Sequence, residues 1–119
     1  MNMTIEKEES GEAALVRLTG EIDMHTSPDV RNALLPLFER GVKGVVVDLA
    51  GVTYMDSSGI ATMIEGLQWS SREGKRFILT GLCDKVMDVF VLTNLKDAFE
   101  FSPEPQVALK DIAGGGSGF

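Results

Sequence analysis

The spacing of apolar and polar positions changes several times along the chain, and each change marks an element. Two extended runs come first: "MTIEKEE" alternates weakly, "AALVRLTGEID" is more apolar, and Ser10-Gly11 between them reads as a turn. In "SPDVRNALLPLFERG" the period becomes helical, with Val30, Ala33, Leu34, Leu37 and Phe38 on one stripe. Ser27 is the expected cap, Pro28 suits the first helical position, and Asp29 favours the positive end of the helix dipole. Gly41 is the expected stop. Pro36 is discordant, because it removes one backbone hydrogen bond and should kink the last turn.

"GVVVDLAGV" follows, a nearly continuous β-branched run of the kind found in strands covered on both faces. Ile60, Met63, Ile64 and Leu67 then repeat at helical spacing until Gly74, and "KRFILTG" reads as another buried strand. "CDKVMDVFVLTNL" predicts a further helix, with Asp84 as its cap and Val86, Val89 and Phe90 on one face. A short strand around Phe99 and a helical piece after Pro103 complete the pattern. This alternation predicts an α/β domain: a small mixed sheet, made of an N-terminal hairpin plus parallel strands, covered by about four helices. Residues 1–112 are expected to form that single domain, with 113–119, ending in "GGGSGF", a flexible tail.

The length of 119 residues fits one domain able to bury roughly two-thirds of its unfolded surface without a disulfide or metal. The single Cys83 has no internal partner, and its apolar surroundings predict a buried, inert thiol and a reducing compartment. The start, "MNMTIEKEES", is polar and acidic rather than signal-like, and no apolar stretch approaches the ~20 residues of a membrane span. A soluble, cytoplasmic protein is expected. The net charge of −7, from 18 acidic and 11 basic residues, argues against nucleic-acid binding, which needs a basic face. It suits attraction to a basic surface on a protein partner.

In sheets of this class the functional edge lies where strands end and loops lead into helices. Two loops meet that description, "TGEIDMHTSP" and "YMDSSG". A catalytic reading would join Ser57 or Ser58 to the sole histidine, His25, and to Asp23. Against it, Asp23 and His25 are two apart on one short loop, and neither serine sits in a Gly-x-Ser-x-Gly elbow. A phosphate cradle would need the glycine spacing and lysine of a P-loop, and Asp56 would repel the anion. Asp23 and Asp56 alone are too few to hold a metal. No catalytic residue, cofactor or metal is therefore assigned. Helix capping by Asp56, Ser57 or Ser58 remains, yet one residue would suffice. Three in succession before Gly59 suggest a hydroxyl exposed to another enzyme's active site.

"LTGEID" at 18–23, "LAGVTYMDSSGIA" at 49–61 and "LTNLKDAFE" at 92–100 resemble, in order and spacing, the STAS domain of bacterial anti-sigma factor antagonists. The likeness runs from about residue 3 to 110. It implies a non-enzymatic regulator that switches partners. The unmodified form would bind an anti-sigma factor, itself a serine kinase of the histidine-kinase-like ATPase fold, and free the sigma factor for transcription. Phosphorylation would switch binding off, and a PP2C-type phosphatase would restore it. The family pattern places the acceptor at Ser57, with Ser58 and Gly59 shaping the start of the helix and Asp23 and Asp56 flanking the docking face. From the residues alone, Ser57 and Ser58 are equal candidates. A rival reading is the scaffold role of STAS subunits bound to bacterial lipid or anion transporters, and another is a switch with an output other than a sigma factor. Trp69 falls about opposite the Ile60–Leu67 stripe, so it is either partly exposed or covered by a neighbouring segment.

Overall fold

In the computed structural model, which describes residues 3–114, β1 (Met3–Ser10) and β2 (Ala13–Ile22) pair antiparallel, with Ser10 opposite Ala13. The turn between them is Gly11–Glu12, one residue later than the pattern suggested. Gly11 takes a φ of 62°, a backbone state open to glycine without steric cost and typical of two-residue hairpin turns. β2 then runs parallel to β3 (Gly44–Met55), β3 to β4 (Arg76–Thr80), and β4 to β5 (Glu100–Ser102). Sheet order thus follows chain order.

The helices are α1 (Ser27–Phe38), α2 (Ser57–Glu73), α3 (Asp84–Leu92) and α4 (Pro105–Ala113). They divide between the two faces as the double-sided burial of β3 requires. Val45, Val47 and Leu49 join the larger core with Val30, Leu34 and Phe38 of α1, Ile60 and Met63 of α2, and Val86 and Phe90 of α3. Val46 points the other way, with Ala13, Leu15 and Ile78, and is covered by Ala108 and Ile112 of α4. Phe99 is buried immediately before β5, after a 3₁₀ turn over Lys96–Ala98 that the apolar pattern did not reveal. Its ring stands edge-on to that of Phe90, with centroids 5.2 Å apart.

Several helix ends differ from expectation. Ser27 is the first residue of α1 rather than its cap, and Thr26 occupies the boundary. α1 closes at Phe38, two residues beyond Pro36, and its C-cap Glu39 keeps a right-handed backbone, so Gly41 lies past the end and caps nothing. Asp84 is the first residue of α3, preceded by Cys83 at the cap position. Cys83 is exposed, which corrects the expectation of a buried thiol: the inward turn of α3 begins only at Val86. Gly74 does end α2, with φ 68° in the left-handed region. Ala113 closes α4 and Gly114 caps it; the rest of the expected glycine-rich tail lies outside the described residues. Among the described residues no helix is long and apolar enough to cross a membrane.

α2 buries a broader face than its large apolar residues indicate. Ile60 and Met63 are buried, Ile64 and Leu67 only half so, while Thr62, Gly66 and Ser70 are buried as well. Part of that extra face is explained by α1, which packs alongside near Thr62. Trp69 belongs to this seam: its ring lies 6.0 Å from that of Phe38, and the Arg31 guanidinium sits 5.6 Å over it. Gly66 is forced by the sheet below, since a β-carbon there would lie 2.6 Å from Cζ of the Phe77 ring. Alanine at 66 would gain about 1 kcal/mol of helix propensity but overpack a rigid aromatic contact. We expect Gly66→Ala to be destabilising, by about 1–2 kcal/mol net, read as a lower urea midpoint with an unchanged slope.

Candidate functional site

The parallel register of β2 and β3 sets Ile22 beside Met55, so both strands leave the sheet at the same level. Their exits are tied together, because the Asp56 amide donates to the Ile22 carbonyl at 3.1 Å. Neighbouring strands lie about 4.8 Å apart. The loop carrying Asp23 is therefore brought directly beside the one carrying Asp56 and Ser57.

The first loop is closed by reciprocal bonds between Asp23 and Thr26. The Asp23 carboxylate accepts from the His25 amide at 2.9 Å and the Thr26 amide at 3.1 Å, and the Thr26 hydroxyl, 3.3 Å away, shares its one proton between this carboxylate and a shorter bond. The Thr26 hydroxyl also donates to the Glu21 carbonyl at 2.7 Å and accepts from the Asp23 amide at 2.9 Å. Partial burial opposes the charge on Asp23. Bonds from His25 and Thr26, with the nearby His25 charge, outweigh it and hold the carboxyl below its ordinary range. Asp23 is thus an organiser of its loop, and Thr26 its partner. The sequence signal for Thr26 was present as a hydroxyl three residues after an aspartate.

At the second loop Asp56 is the cap. Its backbone is extended and its side chain accepts from the Ser58 amide at 2.8 Å, while its carbonyl receives the Gly59 and Ile60 amides. Capping by Asp56 leaves both serine hydroxyls free of that task. Ser57 is exposed at the first helical position, and its hydroxyl makes no hydrogen bond to another described residue. Ser58 is half-buried and lines a shallow groove of about 330 Å³ between α1 and α2, with Pro28, Arg31, Thr62 and Glu65 among its walls. Arg31 is held there by Glu65, with Nε 3.1 Å from the carboxylate.

Gly59 is buried, and its role is steric. A β-carbon would lie 2.5 Å from Cγ of Met55 and 2.9 Å from Cγ2 of Ile22. Only glycine lets α2 start this close to the ends of the two strands. His25 is exposed, and no hydrogen bond joins its ring to either serine among the described residues. The Ser–His–Asp arrangement considered from sequence is not assembled. Nor do three or more potential metal ligands converge among the described residues. Two exposed apolar residues, Met24 and Tyr54, flank the site and were not singled out from sequence. Met24 was legible as an apolar residue stranded in a polar loop.

A model of the STAS domain matches residues 4–108. The anti-sigma-B factor antagonist of Staphylococcus epidermidis is 30% identical over 107 residues, covering 90% of this chain and 99% of the relative. The solved anti-sigma factor antagonist from Mycobacterium paratuberculosis superposes with a TM-score of 0.84 at 23% identity, covering 94% of this chain and 95% of the other. The Bacillus cell fate determinant SpoIIAA, solved in its phosphorylated form, gives a TM-score of 0.70 at 20% identity, covering 90% and 98%.

The depressed Asp23 carboxyl gives a pH signature. A carboxyl whose pKa is lower folded than unfolded contributes stability above its unfolded value, near pH 4, and that contribution is lost as pH falls through the folded value. Asp23→Asn retains the acceptor oxygen but not the charge. It should be less stable than the parent at neutral pH, with the gap between their urea midpoints narrowing as pH falls below about 4.

Proposed function

This chain belongs to the STAS domain family, and from that premise we propose that it is an anti-sigma factor antagonist working by phosphorylation-controlled partner switching. Unphosphorylated, it binds an anti-sigma factor and releases the sigma factor. That partner is also a serine kinase of the histidine-kinase-like ATPase fold, and it phosphorylates Ser57. A PP2C-type phosphatase returns the chain to its binding form. The protein is a substrate in this cycle, not a catalyst, and the cycle runs in the cytoplasm.

The observation that carries the choice of Ser57 is the division of labour at the start of α2. Asp56 takes the capping bond, Ser58 is half-buried with its amide committed to that cap, and Ser57 presents a free hydroxyl to solvent. A kinase must surround its acceptor oxygen, and Ser57 permits this without unfolding the helix. The helix dipole favours the resulting charge of about −1.5 to −2, while the Asp56 carboxylate opposes it. The fold can accept the modification. A partner packed over Ser57 would have to desolvate it, and a loss of about 3 kcal/mol weakens binding more than a hundredfold.

Mass-spectrometric mapping of the chain isolated from its native cells should find phosphate on Ser57, varying with growth condition. Ser57→Ala should remain bound to the anti-sigma factor under phosphorylating conditions. Ser57→Asp should weaken binding only partly, because one charge on a shorter side chain imitates phosphate poorly. A chain never phosphorylated at Ser57, whose alanine variant binds no more persistently than the parent, would overturn the switch and favour the transporter-scaffold role.

A further inference from the structure

Five large apolar side chains are notably exposed among the described residues, and two of them stand at the Ser57 edge. Met24 is 69% exposed in the loop after β2, and Tyr54 is 38% exposed near the end of β3. The others lie elsewhere: Val91 and Leu92 at the far end of α3, and Val107 on α4. Tyr54 pairs in register with Glu21, two residues before Asp23, so it stands at the same end of the sheet as the loop carrying Met24 and the start of α2.

The exposure of Met24 is not a product of a slack loop. Asp23 and Thr26 close the backbone around it with the reciprocal bonds described above, and the Thr26 and Ser27 amides both donate to the Asp23 carbonyl. A rigid loop thus holds out a flexible, polarisable side chain. That combination lowers the ordering cost of docking and lets the tip adapt to a pocket.

The sign of the switch restricts what that pocket is. Phosphate on Ser57 would add negative charge beside Asp23 and Asp56. A partner held at this point by basic residues alone would bind the phosphorylated chain more tightly, not less. An off-switch needs the added dianion to find no free donors in the complex, and a dry, apolar contact beside Ser57 meets that condition. The surrounding acids ask for something different at the rim. Glu21, Asp23, Asp29 and Asp56 make no ion pair with another described residue, whereas Arg31 is engaged by Glu65 and Lys85 lies 5.8 Å over the Tyr54 ring.

Resting on the partner-switching reading, we infer that Met24 is the anchor that seats the unphosphorylated chain in an apolar pocket of its anti-sigma partner, and that lysine or arginine side chains rim that pocket. The apolar centre sets the lifetime of the complex and the charged rim sets the speed of encounter. Phosphorylation acts on the centre.

The test uses the purified full-length chain and the purified anti-sigma kinase of the same cell, with binding followed by calorimetry and stopped-flow kinetics. Met24→Ser should raise Kd by about thirtyfold, through faster dissociation, at both low and high salt. Met24→Leu should stay within about threefold of the parent, and both variants should keep the parent's unfolding midpoint, since the side chain is exposed. Asp29→Asn should slow association at low salt and leave dissociation unchanged. If the parent binds the kinase and Met24→Ser binds equally well, the anchor is disproved while the switch stands. If the parent does not bind the kinase, the switch itself fails and the anchor with it. Self-association of the parent, lost in Met24→Ser, would identify the occupant as a second copy and overturn the assignment.

Discussion

The level exit of β2 and β3 from the sheet is the constraint on which the site depends. Parallel pairing brings Ile22 beside Met55, and the Asp56 amide bonds the Ile22 carbonyl across the gap. From there β2 has the four residues 23–26 before α1 begins, and β3 has Asp56 alone before α2. Both loops must therefore be short, closed and rich in small polar residues. Gly59 extends the constraint into α2, because the helix starts so near both strand ends that no side chain fits between them. An exposed serine in a fixed orientation follows from this packing.

The aspartates do different work in that geometry. Asp56 satisfies amides at the start of α2, and Asp23 satisfies amides within the preceding loop. Neither is spare charge waiting for a metal. Asp56 takes the capping bond of α2, which leaves the Ser57 hydroxyl without a hydrogen bond to another described residue. Under the proposed switch, a phosphate on Ser57 would meet the favourable positive end of the helix dipole and the opposing Asp56 carboxylate.

Around this edge the fold is held by contacts that a list of large apolar residues underestimates. α2 presents Thr62, Gly66 and Ser70 to its surroundings as well as Ile60 and Met63. The Thr62 and Ser70 hydroxyls donate to carbonyls of their own helix, which lets polar residues occupy a buried seam without penalty. Trp69 and Phe38 close the far end of that seam, and the Arg31–Glu65 pair crosses its solvent side. The α1–α2 pair is thereby fixed in position relative to the strand ends, and with it the groove beside Ser58.

Much of this was legible before any coordinates. One weakly alternating run, continuous apolar runs and period-3.6 stripes indicated most of the five strands and four helices, because such patterns follow from the pleat, from burial and from the helical turn. The continuous run of β3 announced burial on both faces, and the family resemblance pointed to Ser57 and its neighbours. What it left open were matters of which polar group bonds to which. Whether Asp56, Ser57 or Ser58 caps α2, whether Thr26 or Ser27 bounds α1, and whether Cys83 faces inward all depend on where a second segment lies. Local sequence presents several competent donors and acceptors, and their energies differ by about 1 kcal/mol or less. The alternation of elements is set by chemistry within a few residues of each position, so the sequence by itself determined it. The steric demand at Gly59 depends on strands brought together from more than thirty positions apart, and only the tertiary structure decided it.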